Sequence, residues 1–242
     1  MRNYFNSFFN FFEFDGRPST DFGVMVFSHG QYSDPEPNET EERIPGMNGV
    51  LHFWDGTFSD VSISYSVMVK GKDAIEVREK VERMRAWLLS KRKYCRLQDT
   101  LHPDYYRMGI YSGKSDVEYS ENEQMGKLRI EFQCKPQKFL KSGEIPIILM
   151  SASSVLYNST DFVAKPLIRV YGSGTITIAG ISVSVTGVSG YADIDCELQE
   201  VEGYNDKTTL QNGKFPVLDP GESQISYTGF SRVEISPRWW TL

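Results

Sequence analysis

The sequence predicts a mainly β protein with one long helix, an α+β chain of two domains. An amino-terminal domain of β-sheet plus helix is expected over residues 1–145 and a carboxy-terminal β-sandwich over residues 146–242. Three observations lead there. Residues 61–69, VSISYSVMV, alternate with period two, placing Val61, Ile63, Tyr65, Val67 and Val69 on one face of a half-buried strand. Residues 73–90 change to helical steps of three and four, with Ala74, Val77, Val81, Met84 and Leu88 forming one apolar stripe. From about residue 165 onward β-branched residues, Gly and Ser dominate and no helical period survives, the pattern of a sandwich built from short strands. A length of 242 residues suits two units, since domains commonly run about 100 to 150 residues.

Taken in order, Phe12 and Phe14 flank Glu13 with strand spacing, and Asp15-Gly16 supplies a turn before the extended run VMVF that starts at Val24. Residues 30–43, GQYSDPEPNETEER, hold two prolines and many acids with almost no apolar side chain, and are expected to form an exposed loop. Ile44-Pro45-Gly46 and Asn48-Gly49 are turn signals, followed by the aromatic pair Phe53-Trp54. For the helix, Asp73 is the expected N-cap and Glu76 its capping-box partner, while Lys91-Arg92-Lys93 suit the negative end of its dipole. Beyond it, MGIYSG, DVEYS and KLRIEFQCKP read as strands, the last with Leu128, Ile130, Phe132 and Cys134 facing one way. A looser stretch follows Pro136, and the domain boundary is expected near residues 140–150.

In the second half, TITIAGISVSV is expected to be a tight hairpin turning at Ala179-Gly180. ADIDCELQ should bury Ala192, Ile194, Cys196 and Leu198 and expose Asp193, Asp195 and Glu197.

Composition narrows the function classes. A net charge of −6, with acids and bases dispersed along the chain, implies no basic face for nucleic acid or anionic lipid. Three cysteines, Cys95, Cys134 and Cys196, lie far apart and form no C-x-x-C pair, so they read as buried small hydrophobes, not as zinc ligands or a disulfide framework. The opening MRNYFNSFFNFFEF is interrupted by Asn3, Asn6, Asn10 and Glu13 and is not expected to be a signal peptide. No run reaches the roughly 18 apolar residues of a membrane helix, so the chain is expected to stay in the cytoplasm or leave it only within a larger particle.

Catalytic chemistry finds little support. The row Asp193, Asp195, Glu197 sets carboxylates about 7 Å apart, a glycosidase-like spacing, but any one-sided sheet carries such a solvated face. His29, His52 and His102 fall in no metal-binding arrangement, and Gly172-Ser173-Gly174 lacks the helix a phosphate site requires. No catalytic, metal or cofactor residue is therefore assigned. Two groups point to contacts. Phe5, Phe8, Phe9 and Phe11 crowd a short segment of which one strand face buries only part, which makes them candidates for an interface between subunits. Trp239 and Trp240 are adjacent in the expected last strand, so one enters the core and the other lies outside, as an interface anchor, as a sugar-stacking platform or as the cover of a neighbouring loop.

Several blocks together resemble the distal tail proteins of long-tailed, siphovirus-type phages that infect Gram-positive bacteria. They are Phe14-Asp15-Gly16, Asp21-Phe22-Gly23-Val24, Arg43-Ile44-Pro45-Gly46, Trp87-Leu88-Leu89, Leu97-Gln98-Asp99 and the run from His102 to Arg107 in the first half. The second half adds the run from Pro166 to Gly174, Ile194-Asp195-Cys196-Glu197, Phe215-Pro216-Val217-Leu218, Pro220-Gly221-Glu222 and Pro237-Arg238-Trp239-Trp240. Ser223 departs from the asparagine expected after Gly-Glu in a turn.

The resemblance implies an amino-terminal belt domain that closes six subunits into a ring, and a galectin-like carboxy-terminal sandwich. It also implies a structural, non-enzymatic hub in the virion tail tip, assembled in the host cytoplasm. Its implied partners are the major tail protein, the tape measure protein and the tail-associated or receptor-binding proteins. Galectin-like does not mean sugar-binding, since no histidine lies beyond His102. A lectin-type adhesion protein is the competing reading, favoured by the sandwich and its outer tryptophan, and a hydrolase using the acidic row is a third.

Overall fold

The computed structural model describes residues 10–28, 32–113, 115, 117–120 and 124–242. Contacts divide them into two compact units, one running to Lys138 with Leu242 added, the other spanning Phe139–Thr241.

The first unit contains β1 (Phe12–Phe14), β2 (Arg17–Pro18), β3 (Val24–Ser28), β4 (Pro37–Glu42), β5 (Leu51–Phe58), β6 (Val61–Lys70), α1 (Ala74–Leu89), β7 (Cys95–Asp99), β8 (Tyr105–Tyr111), β9 (Val117–Tyr119) and β10 (Met125–Cys134). Its main sheet follows the order β2-β1-β7-β8-β10-β6-β3, with β9 also paired to β10. The Val26 N–H donates to the Asn10 carbonyl at 2.7 Å, joining β3 to the residues just before β1, so the sheet closes on itself like a barrel.

The period-two pattern of β6 is realised: Val61, Ile63, Tyr65, Val67 and Val69 are all buried, in ten-residue register with β10. Helix α1 buries Val77, Val81, Met84, Trp87 and Leu88 in the same core. The Asp73 carboxylate accepts from Glu76 N–H at 2.9 Å, as an N-cap should. Glu76 returns its bond to Lys72 N–H, one residue before the cap. Aromatic rings fill the centre. Phe12 stacks on Tyr65 and Trp87 at 5.2 and 5.9 Å, and Phe22 stacks on Trp87 at 4.4 Å.

One expectation is corrected here. Within the stretch expected to be a loop, β4 pairs antiparallel with β5 to make a separate two-stranded ribbon. The sequence signal was absent because every β4 residue is exposed, and a strand with no buried face carries no apolar alternation.

The second unit is a β-sandwich, entered through β11 (Lys138–Leu140). Its strands are β12 (Ile147–Ile148), β13 (Ser153–Asn158), β14 (Leu167–Tyr171), β15 (Gly174–Ile178), β16 (Ile181–Val185), β17 (Tyr191–Asp195), β18 (Glu200–Val201), β19 (Thr208–Leu210), β20 (Gly221–Thr228), β21 (Arg232–Ser236) and β22 (Trp240–Thr241). One sheet runs β12-β21-β14-β17-β18 and the other β13-β20-β15-β16-β19. Between them lies a core that includes Ile168, Ile176, Val183, Ile194, Ile225 and Val233.

The predicted β15–β16 hairpin is present, with Ile178 opposite Ile181 and positive φ at both Ala179 (49°) and Gly180 (83°), the mirror-image turn that matches strand twist. Two expectations fail locally. β17 ends at Asp195, whose carboxylate accepts from the N–H groups of Glu197 and Leu198 and bends the chain; Leu198 is consequently 67 % exposed, not buried. Ser223 lies inside β20 and is buried, so it occupies a strand and not a turn.

Candidate assembly surface

Among the described residues of the first unit, the β4–β5 ribbon presents a group of exposed apolar side chains. Phe53 and Trp54 are each 54 % exposed, and as neighbours on one strand they face opposite sides of the ribbon. Ile44, Met47 and Val50 are exposed at its tip. The Trp54 indole N–H donates to the Thr57 carbonyl at 2.8 Å, and the Asp55 carboxylate accepts from both the N–H and the hydroxyl of Thr57. These bonds hold the Asp55 carboxyl below its usual range and fix the bulge at Gly56 (φ 86°). On one face His52 Nδ1 lies 3.4 Å from Glu39 and 3.7 Å from Glu41. Their ligand atoms sit within 4.8 Å of one another, and all three residues are exposed.

A cavity of about 290 Å³ opens beside β7, lined among others by Tyr32, Tyr65, Asp99, His102 and Arg107. Asp99 is the organising group. It accepts from the Tyr65 hydroxyl at 2.7 Å and from the N–H groups of Leu101 and His102 at 2.9 Å. Burial first, and then the Asp99 charge, push the Tyr65 hydroxyl well above its ordinary pKa, so it stays a donor. His102 meets the Tyr32 ring edge-on at 5.2 Å. These bonds tie a turn to the sheet, a structural task.

In the sandwich each member of the acidic row has a cation. Arg169 grips Asp193 with two bonds of 2.7 Å, Arg238 grips Asp195 with two of 2.7 Å, and Lys165 lies 3.2 Å from Glu197. Burial alone would raise the Asp195 carboxyl, but the Arg238 guanidinium and the turn N–H groups outweigh it and hold the group ionised. Such a carboxylate is a poor proton donor for glycoside chemistry.

The residues singled out from sequence fall as follows. Phe5, Phe8, Phe9 and His29 lie outside the described residues. Phe11 is half-buried; its N–H donates to the Thr100 hydroxyl and its carbonyl accepts from the Thr100 N–H. Trp239 is 8 % exposed and belongs to the sandwich core, so it is not an exposed anchor. It continues the inward alternation of Val233, Ile235 and Pro237, a signal the sequence did contain. Trp240 is half-buried: its ring stacks on Phe162 at 4.4 Å and its N–H donates to the Val163 carbonyl, so it covers a loop of its own domain. The ribbon is what sequence reasoning missed, although Phe53-Trp54 inside a turn-rich, acidic stretch marked the place.

Comparison with known proteins agrees with this architecture. Residues 20–134 match the model of the phage tail protein RIFT-related domain. Among solved structures, SPP1 Dit, described as a paradigm of hub adsorption apparatus in Gram-positive infecting phages, superposes with TM-score 0.74 at 15 % identity, over 96 % of this chain and 99 % of that one. A chain of the phage P2 baseplate in its activated conformation with Ca gives TM-score 0.53 at 11 % identity, over 93 % of this chain and 96 % of that one. The corresponding baseplate structure with Sr gives 0.52 at 12 %, with the same coverage. No curated protein sequence matches. Residues 20–134 are thus similar to the phage tail protein RIFT-related domain, and over nearly its whole length the chain shares the fold of SPP1 Dit.

Proposed function

We propose that this protein is a non-enzymatic hub of a phage tail tip, a virion component assembled in the host cytoplasm. Its first domain closes six copies into a ring, joining the tail tube to the tail-associated and receptor-binding proteins. The observation that carries this reading is the likeness to SPP1 Dit across both domains, 96 % of one chain on 99 % of the other, because a hub needs the ring-forming and the outward-facing parts together. Three features support it. The acidic row is spent on Arg169, Arg238 and Lys165 and leaves no carboxylate poised as an acid. Trp240, the platform a lectin would need, is stacked on Phe162. The ribbon sets aromatic side chains in solvent where a neighbouring subunit would cover them.

Light scattering coupled to size exclusion, from low to high micromolar, tests the reading together with negative-stain imaging. A closed ring of six is expected. A protein that stays monomeric throughout, alone and when mixed with its tail-tube protein, overturns it. Saturable glycan binding by calorimetry would instead favour an adhesion protein.

A further inference from the structure

We propose that the cavity beside β7 binds a small carboxylate carried on an apolar or aromatic body, held by Arg107 and Lys138. Every residue that lines it belongs to the first unit. Strand alternation builds the site. Leu97 lies opposite Arg107 in the β7–β8 register, so Leu97 and Asp99 of β7 share a face with Tyr105 and Arg107 of β8. Lys138 adds a second cation to the lining.

These two cations lack a counter-charge. Arg107 is half-buried; its Nη1 donates to the Pro136 carbonyl at 2.9 Å, and neither Nε nor Nη2 has an acceptor among the described residues. Neither nitrogen is sealed in the wall, so both are open to a ligand. Lys138 is also half-buried, its ammonium 5.8 Å from the centre of the Tyr105 ring and in no ion pair among the described residues. Asp99 is already engaged: one oxygen accepts from the Leu101 and His102 N–H groups, the other from the Tyr65 hydroxyl. Burial first, and then the Arg107 charge, lower the Lys138 pKa from its ordinary value, and the exposed Asp34 offsets only part of this. Cations withdrawn from water are ordinarily paired, and an anion in the cavity completes the set.

The shape of the gap selects the anion. Nε and Nη2 form the side-on edge of a guanidinium, a fork that matches the two oxygens of a carboxylate. The same edge of Arg169 holds Asp193 in this protein, Nε to one oxygen and Nη2 to the other, each at 2.7 Å. Much of the wall is apolar or aromatic, with Ile63, Tyr65, Leu97 and Tyr105 among its members. At about 290 Å³ the cavity stands at the small end of ligand sites, which run from about 300 to 1,000 Å³, and suits one ring with its acid group.

Saturation-transfer NMR on the full chain tests this with sodium benzoate as the probe, up to tens of millimolar, because the method reads weak ligands whatever the size of an assembly. Wild type should saturate with benzoate and not with benzamide, which has the same ring and no charge. Arg107→Lys keeps the charge but loses the fork, and should weaken benzoate binding by at least about tenfold; Lys138→Gln should weaken it less. Both variants are required to keep the wild-type thermal transitions, and the comparison of benzoate with benzamide on wild type stands without them. No saturable benzoate signal, equal signals from benzoate and benzamide, or undiminished binding by Arg107→Lys overturns the proposal. Inorganic phosphate that displaces benzoate at equal concentration also overturns it, since the site would then read charge and not a carboxylate on a ring.

Discussion

Replacing Phe12 by alanine probes whether the first domain is a closed sheet packed around an aromatic centre. Phe12 is fully buried, stacks on Tyr65 and Trp87, and meets Phe132 edge-on at 5.6 Å. It also lies two residues from Asn10, whose carbonyl holds the seam to Val26. A buried Phe→Ala substitution costs about 3 to 5 kcal/mol, a figure that includes the lost ring contacts. A unit of about 140 residues has an unfolding entropy near 0.3 kcal/mol/K, so a loss of about 4 kcal/mol lowers its melting temperature by about 13 °C. Differential scanning calorimetry should show two transitions, with one falling by this amount and the sandwich transition unmoved. A shift below about 4 °C, or equal movement of both transitions, would refute the packing argument and the independence of the two units.

Three further outcomes follow from the same structure. Val81→Asp places an unpaired carboxylate in the α1 face of the core, and circular dichroism should show the first transition lost and the second kept; an unchanged melting profile rules the assignment out. Asp195 is held below its ordinary pKa in the folded state, so its contribution is present above about pH 4 and disappears as pH falls through the lower folded value. Acid titration of the sandwich transition should therefore steepen below pH 4 in wild type and be flatter in Asp195→Asn, and equal slopes would count against the Arg238 pairing. Burial pushes the thiols of Cys134 and Cys196 up to about 12 and that of Cys95 upward, so a thiol reagent at pH 8 should react only after denaturant is added.

What the sequence made legible was whatever has a short period and a buried face. Strand β6, helix α1 and the β15–β16 hairpin each repeat inside a dozen or so residues, and their patterns decide both type and inward side. The ribbon was illegible for the opposite reason, since neither strand buries a face against the rest of its domain. Pairings between distant residues were also hidden. Nothing near Asp195 announces Arg238, 43 residues later, and without that partner the acidic row looked like a solvated face with a remote catalytic option. Leu198 was misplaced because the carboxylate that ends β17 acts on the backbone, a turn effect that an alternating pattern cannot reveal.

The strand order of the sandwich sets a schedule for its manufacture. β20 and β21, which span residues 221–236, are not edge strands: one is bonded between β13 and β15, the other between β12 and β14. Neither sheet is continuous until these two arrive, although the strands they join were synthesised up to 88 residues earlier, the separation of the paired Ile147 and Ile235. At roughly 5 to 20 residues per second, a ribosome leaves four strand edges unpaired for several seconds, each a template for the wrong partner. The sandwich therefore reaches its full pairing only when residues 221–236 are in place, and its earlier strands spend that interval with their edges uncovered.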